Sequence, residues 1–178
     1  MPRLCLVRHT TPLIDPDRPA EEWNVGEEGR AQAESILPTL EEIGATVIVS
    51  SPELKAQITA EILAHGSGLP LRNDERLREQ GLGAVPFYGG HDEFHEKVRE
   101  HFAHPEIKLL GNESSRAAAH RFDLVVREFG KDELPVLVSH GRILSAWLAS
   151  QVDLDAYDIW QSLLMPDALF VEMNTRMS

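Results

Sequence analysis

Short apolar runs alternate with helical segments along the chain, and this alternation restricts the possible folds more than any other feature. The runs Leu4–Val7, Thr46–Val49 and Pro135–Val138 are apolar or β-branched almost throughout. Such runs are typical of strands buried on both faces of a sheet. Two weaker strands are predicted at Leu69–Leu71 and Leu169–Met173. Strands that alternate with helices predict an α/β protein, a three-layer sandwich with a mostly parallel central sheet flanked by helices.

Helical spacing of apolar residues and capping signals place helices between these strands. They are predicted from Glu27 to Gly44, from Pro52 to before Gly66, over His91–His104 and Ser114–Phe129, and from Ile143 to about Val152. The stretches 12–19 and 81–90 are rich in proline, aspartate or glycine and are predicted loops. The 178 residues are expected to form one domain, residues 1–178, with a lid at residues 81–110.

The charge balance excludes one class of partner. The sequence has 29 acidic and 17 basic residues, a formal net charge of −12. Its average surface repels nucleic acids, which bind to basic faces. A small phosphorylated substrate stays compatible, because a few cations in a cleft can dominate the local field. No apolar run approaches the ~20 residues of a membrane span, and the single cysteine, Cys5, lies in the first apolar run. We expect a cytoplasmic protein in which Cys5 is a buried hydrophobe.

Charged and polar residues follow several of the predicted strands. In open parallel sheets, ligands bind outside the carboxyl ends of the strands, so these residues are expected to meet at one edge of the sheet. The residues concerned are Arg8, His9, Lys55, Glu79 and His140.

This set of side chains suits phosphoryl transfer. Arg8 can neutralise the phosphoryl oxygens with two parallel hydrogen bonds, and Lys55 can add a point charge. A neutral imidazole can attack phosphorus to give a phosphohistidine, which water then hydrolyses. A carboxyl group can protonate the leaving oxygen and later deprotonate the water. Burial is expected to hold Glu79 protonated for the first of these steps.

Two other constellations carry competing interpretations. His91 and His95 lie four residues apart on one helical face, which is the spacing of a zinc site, although a solvated helix face is the simpler interpretation. Ser139 and Gly141 form half of an esterase nucleophile elbow, because Leu137 occupies the first glycine position. Three aromatic residues are predicted to belong to the core rather than to stack on a ligand: Trp147, Trp160 and Phe170.

Six segments, in order along residues 4–141, resemble the histidine phosphatase superfamily, the phosphoglycerate-mutase-like proteins. Val7–Thr11 is similar to the Arg-His-Gly signature of that family. The remaining segments are Glu27–Ala33, Ser50–Pro52 with the residues that follow it, Leu77–Glu79, Gly111–Ser114 with Arg121, and Val136–Gly141.

The resemblance implies a phosphoglycerate-mutase-like fold and a role for each residue of the set. His9 would be the phosphorylated nucleophile and Arg8 a phosphate ligand. His140 would be the second histidine of the phosphate pocket, Glu79 the proton donor, and Gly141 a backbone N–H donor to phosphate. The family needs no metal or organic cofactor, so none is expected.

The sequence departs from the family pattern at three places. Thr10 replaces the glycine after the nucleophile, so the backbone there must avoid positive φ. Lys55 stands where the family usually has a second phosphate arginine. The usual Asn soon after the signature is missing; Asp15 is the nearest residue, and Asn24 lies further along.

The resemblance implies a metal-independent phosphatase that acts on a small phosphate monoester. Three alternatives stay open: a degenerate member that binds a phosphorylated ligand or protein partner with little turnover, a phosphohistidine-protein phosphatase, and a mutase, which the short chain disfavours. Oligomeric state is open, and a homodimer is possible.

Overall fold

The computed structural model describes residues 3–81 and 91–173, with residue 91 described through its backbone alone. Within them, five strands form one sheet in the order β3-β2-β4-β1-β5. The strands are β1 (Arg3–Arg8), β2 (Val47–Ser50), β3 (Leu71–Asn73), β4 (Pro135–Ser139) and β5 (Asp167–Glu172). The pairs β1–β4, β2–β4 and β2–β3 are parallel, and only the edge strand β5 runs antiparallel to its neighbour. The predicted α/β fold with a mostly parallel sheet is confirmed.

Helices cover both faces of this sheet. They are α1 (Glu27–Glu34), α2 (Leu37–Ile43), α3 (Leu54–Ser67), α4 (His91–Ala103), α5 (Ser115–Val126), α6 (Gly141–Gln151) and α7 (Ala156–Ser162). The single helix predicted from Glu27 to Gly44 is two helices, because Pro38 has no N–H to donate and therefore sits in the first turn of α2. Helix α7 was not predicted. The loop predicted at 81–90 lies, apart from Gly81, outside the described residues.

The central strands have one core on each face. Leu4 and Leu6 of β1 pack with α4, α5, α6 and α7, whereas Cys5 and Val7 pack with α2 and α3. Cys5 is buried as predicted, and burial raises the pKa of its thiol to about 12. No described helix is long and apolar enough to cross a membrane.

Two of the three aromatic residues assigned to the core are buried. Trp147 is fully covered and Trp160 nearly so. The prediction for Phe170 was wrong: its side chain is 45% exposed. It belongs to β5, which lies at the edge of the sheet, where fewer neighbours cover a side chain.

The register of β1 and β4 brings the two histidine segments together. Arg8 pairs with Ser139 at the end of the two strands, and the backbone N–H of His9 donates to the carbonyl of Ser139 at 3.0 Å. His9 and His140 each follow this last pair, so both leave the sheet at the same edge.

Candidate active site

His9 is buried and held in a defined tautomer. Its Nδ1 lies 2.8 Å from the carbonyl oxygen of Thr10. A carbonyl only accepts hydrogen bonds, so Nδ1 carries the proton and Nε2 keeps the lone pair. Burial, with further contributions from His140, Lys55 and Arg8, holds the pKa of His9 well below its ordinary value. His9 is therefore a neutral imidazole at physiological pH, with Nε2 as its nucleophilic atom.

His140 faces His9 edge-on, with the two ring centroids 5.1 Å apart. It is completely buried, and burial lowers its pKa to about 4, so it is also neutral. Its Nε2 lies 2.8 Å from the hydroxyl of Ser51, and its Nδ1 has no hydrogen-bond partner among the described residues.

Ser51 determines which nitrogen of His140 carries the proton. The Ser51 hydroxyl accepts the backbone N–H of Glu53 at 3.2 Å, which leaves its own hydrogen free to be donated. Donation to Nε2 of His140 uses that hydrogen and places the imidazole proton on Nδ1. The opposite tautomer places an N–H towards Oε1 of Glu53, but at 3.6 Å this contact is too long for a hydrogen bond, and the hydroxyl hydrogen and the Nδ1 lone pair are left unused. We infer that Nδ1–H of His140 is a free donor beside His9.

The guanidinium of Arg8 is hydrogen-bonded through one nitrogen and lacks a partner at another within the part of the chain that the structure describes. Its Nη1 donates to the carbonyl of Leu163 at 2.7 Å, while its buried Nε has no partner among the described residues. Burial lowers the pKa of Arg8, yet a guanidinium keeps its charge at physiological pH. Gly141 makes room for this group, because a Cβ atom there would lie 3.0 Å from both Cζ and Nε of Arg8. Gly141 is also the first residue of α6, where N–H groups have no acceptor within the helix.

Lys55 lies near His9 but is already paired. Its ammonium donates to Oε2 of Glu53 and to the carbonyl of Ala20, each at 2.7 Å. Both side chains of the ion pair are about 7% exposed. Burial raises the pKa of Glu53, but His140 and Lys55 pull it down further, so that it lies below its ordinary value. One of the three ammonium hydrogens of Lys55 is left for another acceptor.

Glu79 lies at the same edge, but the expectation that burial keeps it protonated was wrong. Its two oxygens accept the backbone N–H groups of Gln80, Arg142 and Ile143 at 2.9–3.2 Å. Burial raises the pKa of Glu79, yet the charge of Arg142 and these N–H donors outweigh it and bring the pKa to about 2. A carboxylate that accepts several N–H groups is stabilised in its charged form. Glu79 is therefore ionised at neutral pH and caps the start of α6.

The structure shows how Thr10 is accommodated and where Asn24, the asparagine that lies further along than usual, is placed. None of the described non-glycine residues, Thr10 included, has positive φ, as predicted. The Thr10 side chain is buried against Thr59 of α3, with the two hydroxyl oxygens 3.3 Å apart. Asn24 is exposed, and its side-chain oxygen accepts the N–H of Val25 at 2.7 Å.

The suggested zinc pair gains no support from the described residues. The side chain of His91 lies outside them. His95 packs edge-on against Trp160, with its Nδ1 3.2 Å from the Tyr157 hydroxyl. Across residues 3–81 and 91–173, no three histidine, cysteine or acidic side chains are arranged to hold a metal ion.

The sequence reasoning overlooked the residues that orient the site. Ser51 and Glu53 were included only in the segment that begins at Ser50, and Arg142 was not among the predicted site residues. The buried position of Glu53 could not be recognised from sequence, because it depends on the ion pair with Lys55, which forms only in the folded chain. His101, fully buried in α4, gave no signal beyond its place among several histidines.

Comparison with known proteins agrees with this geometry. The chain is 28% identical over 138 residues to the probable phosphoglycerate mutase GpmB of Cronobacter sakazakii, covering 74% of the chain and 64% of that protein. It thus spans less than two thirds of the length of this relative. A mycobacterial glucosyl-3-phosphoglycerate phosphatase structure is 26% identical, with a TM-score of 0.72 over 94% of this chain and 88% of that one. The YhfR structure from Bacillus stearothermophilus shares the fold at 24% identity, with a TM-score of 0.76 over 97% of this chain and 92% of that one.

The family model for branch 1 of the histidine phosphatase superfamily matches residues 4–173, which is nearly the whole chain. The match includes both strand ends that carry the histidines. The chain belongs to the histidine phosphatase superfamily, branch 1.

Proposed function

We propose that this protein is a metal-independent phosphatase that hydrolyses a small phosphate monoester through a phosphohistidine on His9. The observation that carries the proposal is the tautomer of His9: its Nδ1–H is bonded to Thr10, which leaves Nε2 as an unprotonated nucleophile. Two buried nitrogens without partners among the described residues, Nε of Arg8 and Nδ1 of His140, belong to the residue before His9 and to the ring that faces it. They are suited to the oxygens of a phosphoryl group, whose charge must be neutralised for attack.

The proposed reaction has two displacements at phosphorus. In the first, Nε2 of His9 bonds to phosphorus while the bond to the leaving oxygen breaks, and that oxygen takes up a proton. The phosphorylated imidazole is cationic and is stabilised by its Nδ1–H bond to Thr10. In the second, water attacks phosphorus, the N–P bond breaks and the water gives up a proton. His9 returns to its neutral form, and inorganic phosphate leaves.

Glu79 is the proposed carrier of the proton, although it is ionised in the chain alone. A phosphate monoester titrates with a second pKa of about 6, so part of the substrate carries a proton at neutral pH. The charge of the bound phosphoryl group also raises the pKa of a neighbouring carboxylate. Glu79 thus receives its proton from the substrate when it binds, passes it to the leaving oxygen, takes one from the attacking water, and returns that proton to the phosphate that leaves.

The similarity to a mycobacterial glucosyl-3-phosphoglycerate phosphatase supports hydrolysis as the reaction. Relatives named as phosphoglycerate mutases are longer than the region this chain matches, so their name is weaker support for mutase activity here.

Trapping the covalent intermediate tests the proposal. Wild-type protein mixed with a ³²P-labelled phosphate monoester in excess EDTA is expected to hold label after an alkaline denaturing quench, and to lose it in acid, as a phosphohistidine does. Peptide mapping is expected to place the label on His9. Hydrolysis that ceases in EDTA, or that proceeds without a labelled protein during rapid-quench sampling, contradicts the proposal.

A second test of the proposed function asks whether the Ser51 hydroxyl orients the ring of His140. Ser51→Ala is expected to lower kcat/KM for an aryl phosphate by about 10- to 100-fold. The variant leaves the buried Nε2 of His140 without its hydrogen bond, and such an unsatisfied group costs about 1–3 kcal/mol. Ser51→Thr keeps the hydroxyl and is expected to restore most of the activity. Ser67→Ala, which removes a hydroxyl bonded to the Leu63 carbonyl at the end of α3, is the matched control. A Ser51→Ala enzyme within twofold of wild type shows that Ser51 does not orient His140.

A protein that binds phosphorylated ligands with little turnover is the second candidate. The Lys55–Glu53 pair favours it, because a carboxylate beside the phosphate pocket weakens the hold of Lys55 on an anion. Inorganic phosphate that raises the unfolding temperature of a chain with no measurable hydrolysis would select this candidate over the phosphatase.

A further inference from the structure

Two basic side chains lie buried beneath the surface of the molecule next to Glu79. Arg142 of α6 is 4% exposed, and its Nη1 has no hydrogen-bond partner among the described residues. His101 of α4 is fully buried, and neither of its ring nitrogens has a partner there. Such unsatisfied buried groups are rare in folded proteins and call for an explanation.

These two side chains belong to one cluster between α4 and α6. The guanidinium of Arg142 lies 5.9 Å from the ring of Phe94, which precedes His101 by two helical turns. The charges of Arg142 and Glu79 both act on His101, whose pKa burial lowers to about 4. The side chains of α4 therefore cover Arg142, and the cluster adjoins the carboxylate of the proposed active site.

Glu79 does not satisfy the hydrogen-bond donors of Arg142. The closest ion-pair contact, from Nε of Arg142 to Oε2 of Glu79, is 3.5 Å long. The Glu79 oxygens are already bonded to three backbone N–H groups. A guanidinium has five donors and keeps its charge when buried. An unpaired buried donor loses its hydrogen bonds to water without replacement, a penalty that an apolar side chain would avoid. A ligand that supplies the missing acceptor would therefore explain why an arginine occupies this buried position.

We propose that Arg142 and His101 form a subsite for a second oxyanion of the substrate, a carboxylate or a second phosphate on the part that is not transferred. This inference rests on the proposed function, since the subsite adjoins the phosphate pocket through Glu79 and the Gly141–Arg142 peptide. Arg142 binds the oxyanion through its free N–H donors, and an imidazole N–H of His101 adds one more. Both side chains are covered, so α4 must shift away from α6 for the oxyanion to reach them.

The test compares pairs of phosphate esters that differ in one oxyanion. O-phosphoserine and phosphoethanolamine differ by a carboxylate, and 1,3-propanediol bisphosphate and 3-hydroxypropyl phosphate differ by a phosphate. Calorimetric Kd values are measured with the His9→Ala protein, so that no turnover occurs. At least one pair is expected to show a tenfold or greater preference for the doubly anionic member, and the pair identifies which oxyanion the subsite takes.

Substitutions then locate that preference. Adding Arg142→Gln is expected to reduce it to less than twofold, and Arg142→Lys to leave an intermediate value. Arg116→Gln removes an exposed arginine paired only with Glu106 and is expected to keep the full preference. If Arg142→Gln does not fold, His101→Asn takes its place, with a severalfold loss of preference expected.

The outcomes separate this inference from the proposed function. Phosphate esters that bind without any preference, or a preference that survives Arg142→Gln or its replacement, overturn the subsite while leaving hydrolysis intact. A preference lost with Arg142 in a protein whose wild type hydrolyses nothing supports the subsite and contradicts the phosphatase. Failure of all four compounds to bind overturns both.

Discussion

Replacing His9 by alanine is expected to lower kcat for aryl phosphate hydrolysis by at least about 10⁴-fold, the scale seen when a covalent nucleophile is removed. In the proposed mechanism the neutral imidazole of His9 supplies the atom that bonds to phosphorus, and the neighbouring ring of His140 cannot replace it. The Nε2 atom of His140 is hydrogen-bonded to Ser51 at 2.8 Å, and in the tautomer inferred above its Nδ1 carries the proton. Water would then have to attack the ester directly. Rates are measured with a fluorogenic aryl phosphate in EDTA.

The matched control for this variant is His120→Ala, which removes an exposed histidine of α5. It is expected to retain wild-type kcat. Activity of His9→Ala within tenfold of wild type would show that the reaction has no covalent step on this residue, and would leave His9 as a phosphate ligand at most.

The free energy of unfolding is expected to fall by at least about 6 kcal/mol between pH 7 and pH 4. Burial lowers the pKa values of both His140 and His101 from 6.5 to about 4. In this window the unfolded chain binds a proton on each histidine that the folded chain does not, so stability rises with pH. Each group contributes about 3 kcal/mol, at about 1.4 kcal/mol per pKa unit. The combined loss rivals the whole stability of a typical domain, about 5–15 kcal/mol.

Urea denaturation at several pH values between 7 and 4 measures this loss. His9 acts in the same direction, and the lowered pKa values of Glu53 and Glu79 add to the loss only as the pH falls below about 4.5. His101→Gln is expected to remove about 3 kcal/mol of the decrease, the contribution of one histidine. His65→Gln, at an exposed position of α3, is expected to leave the decrease unchanged. Equal stability at pH 7 and pH 4.5 is incompatible with neutral, buried histidines at these positions.

The parts of the fold that depend on short-range patterns were predicted well. The apolar runs around Cys5 and Val136 mark strands buried on both faces, and such burial leaves a continuous apolar signal. Gly44 closes α2 in a left-handed conformation as its position suggested. The break between α1 and α2 was missed because Pro38 fits inside the first turn of a helix as well as it interrupts one. Phe170 was misassigned because its exposure depends on the strand order.

The sequence predicted which residues lie together in the site better than it predicted their protonation and ion pairing. Rules for parallel sheets and the family resemblance identified His9, Glu79 and His140 as neighbours. The protonation state of Glu79 was wrong, since it depends on two N–H groups of α6 that only the folded chain aims at the carboxylate. The pairing of Lys55 with Glu53 depends likewise on burial and on the Ala20 carbonyl, 35 residues away in sequence. Identity can be inferred from pattern, whereas electrostatic state requires the three-dimensional neighbours.

The pairing of Arg8 with Ser139 limits which parts of this protein can vary by mutation without altering the spacing of the two histidines. The spacing of the two histidines is determined by a main-chain ladder in the middle of the sheet, and a slip of one residue would turn each strand's side chains to the opposite face. Segments at the rim, such as α4 and the stretch around Asn24, contribute nothing to that ladder. If the proposed function holds, mutation at the rim can change substrate preference without moving His9 and His140, so that selectivity and reactivity are free to evolve separately.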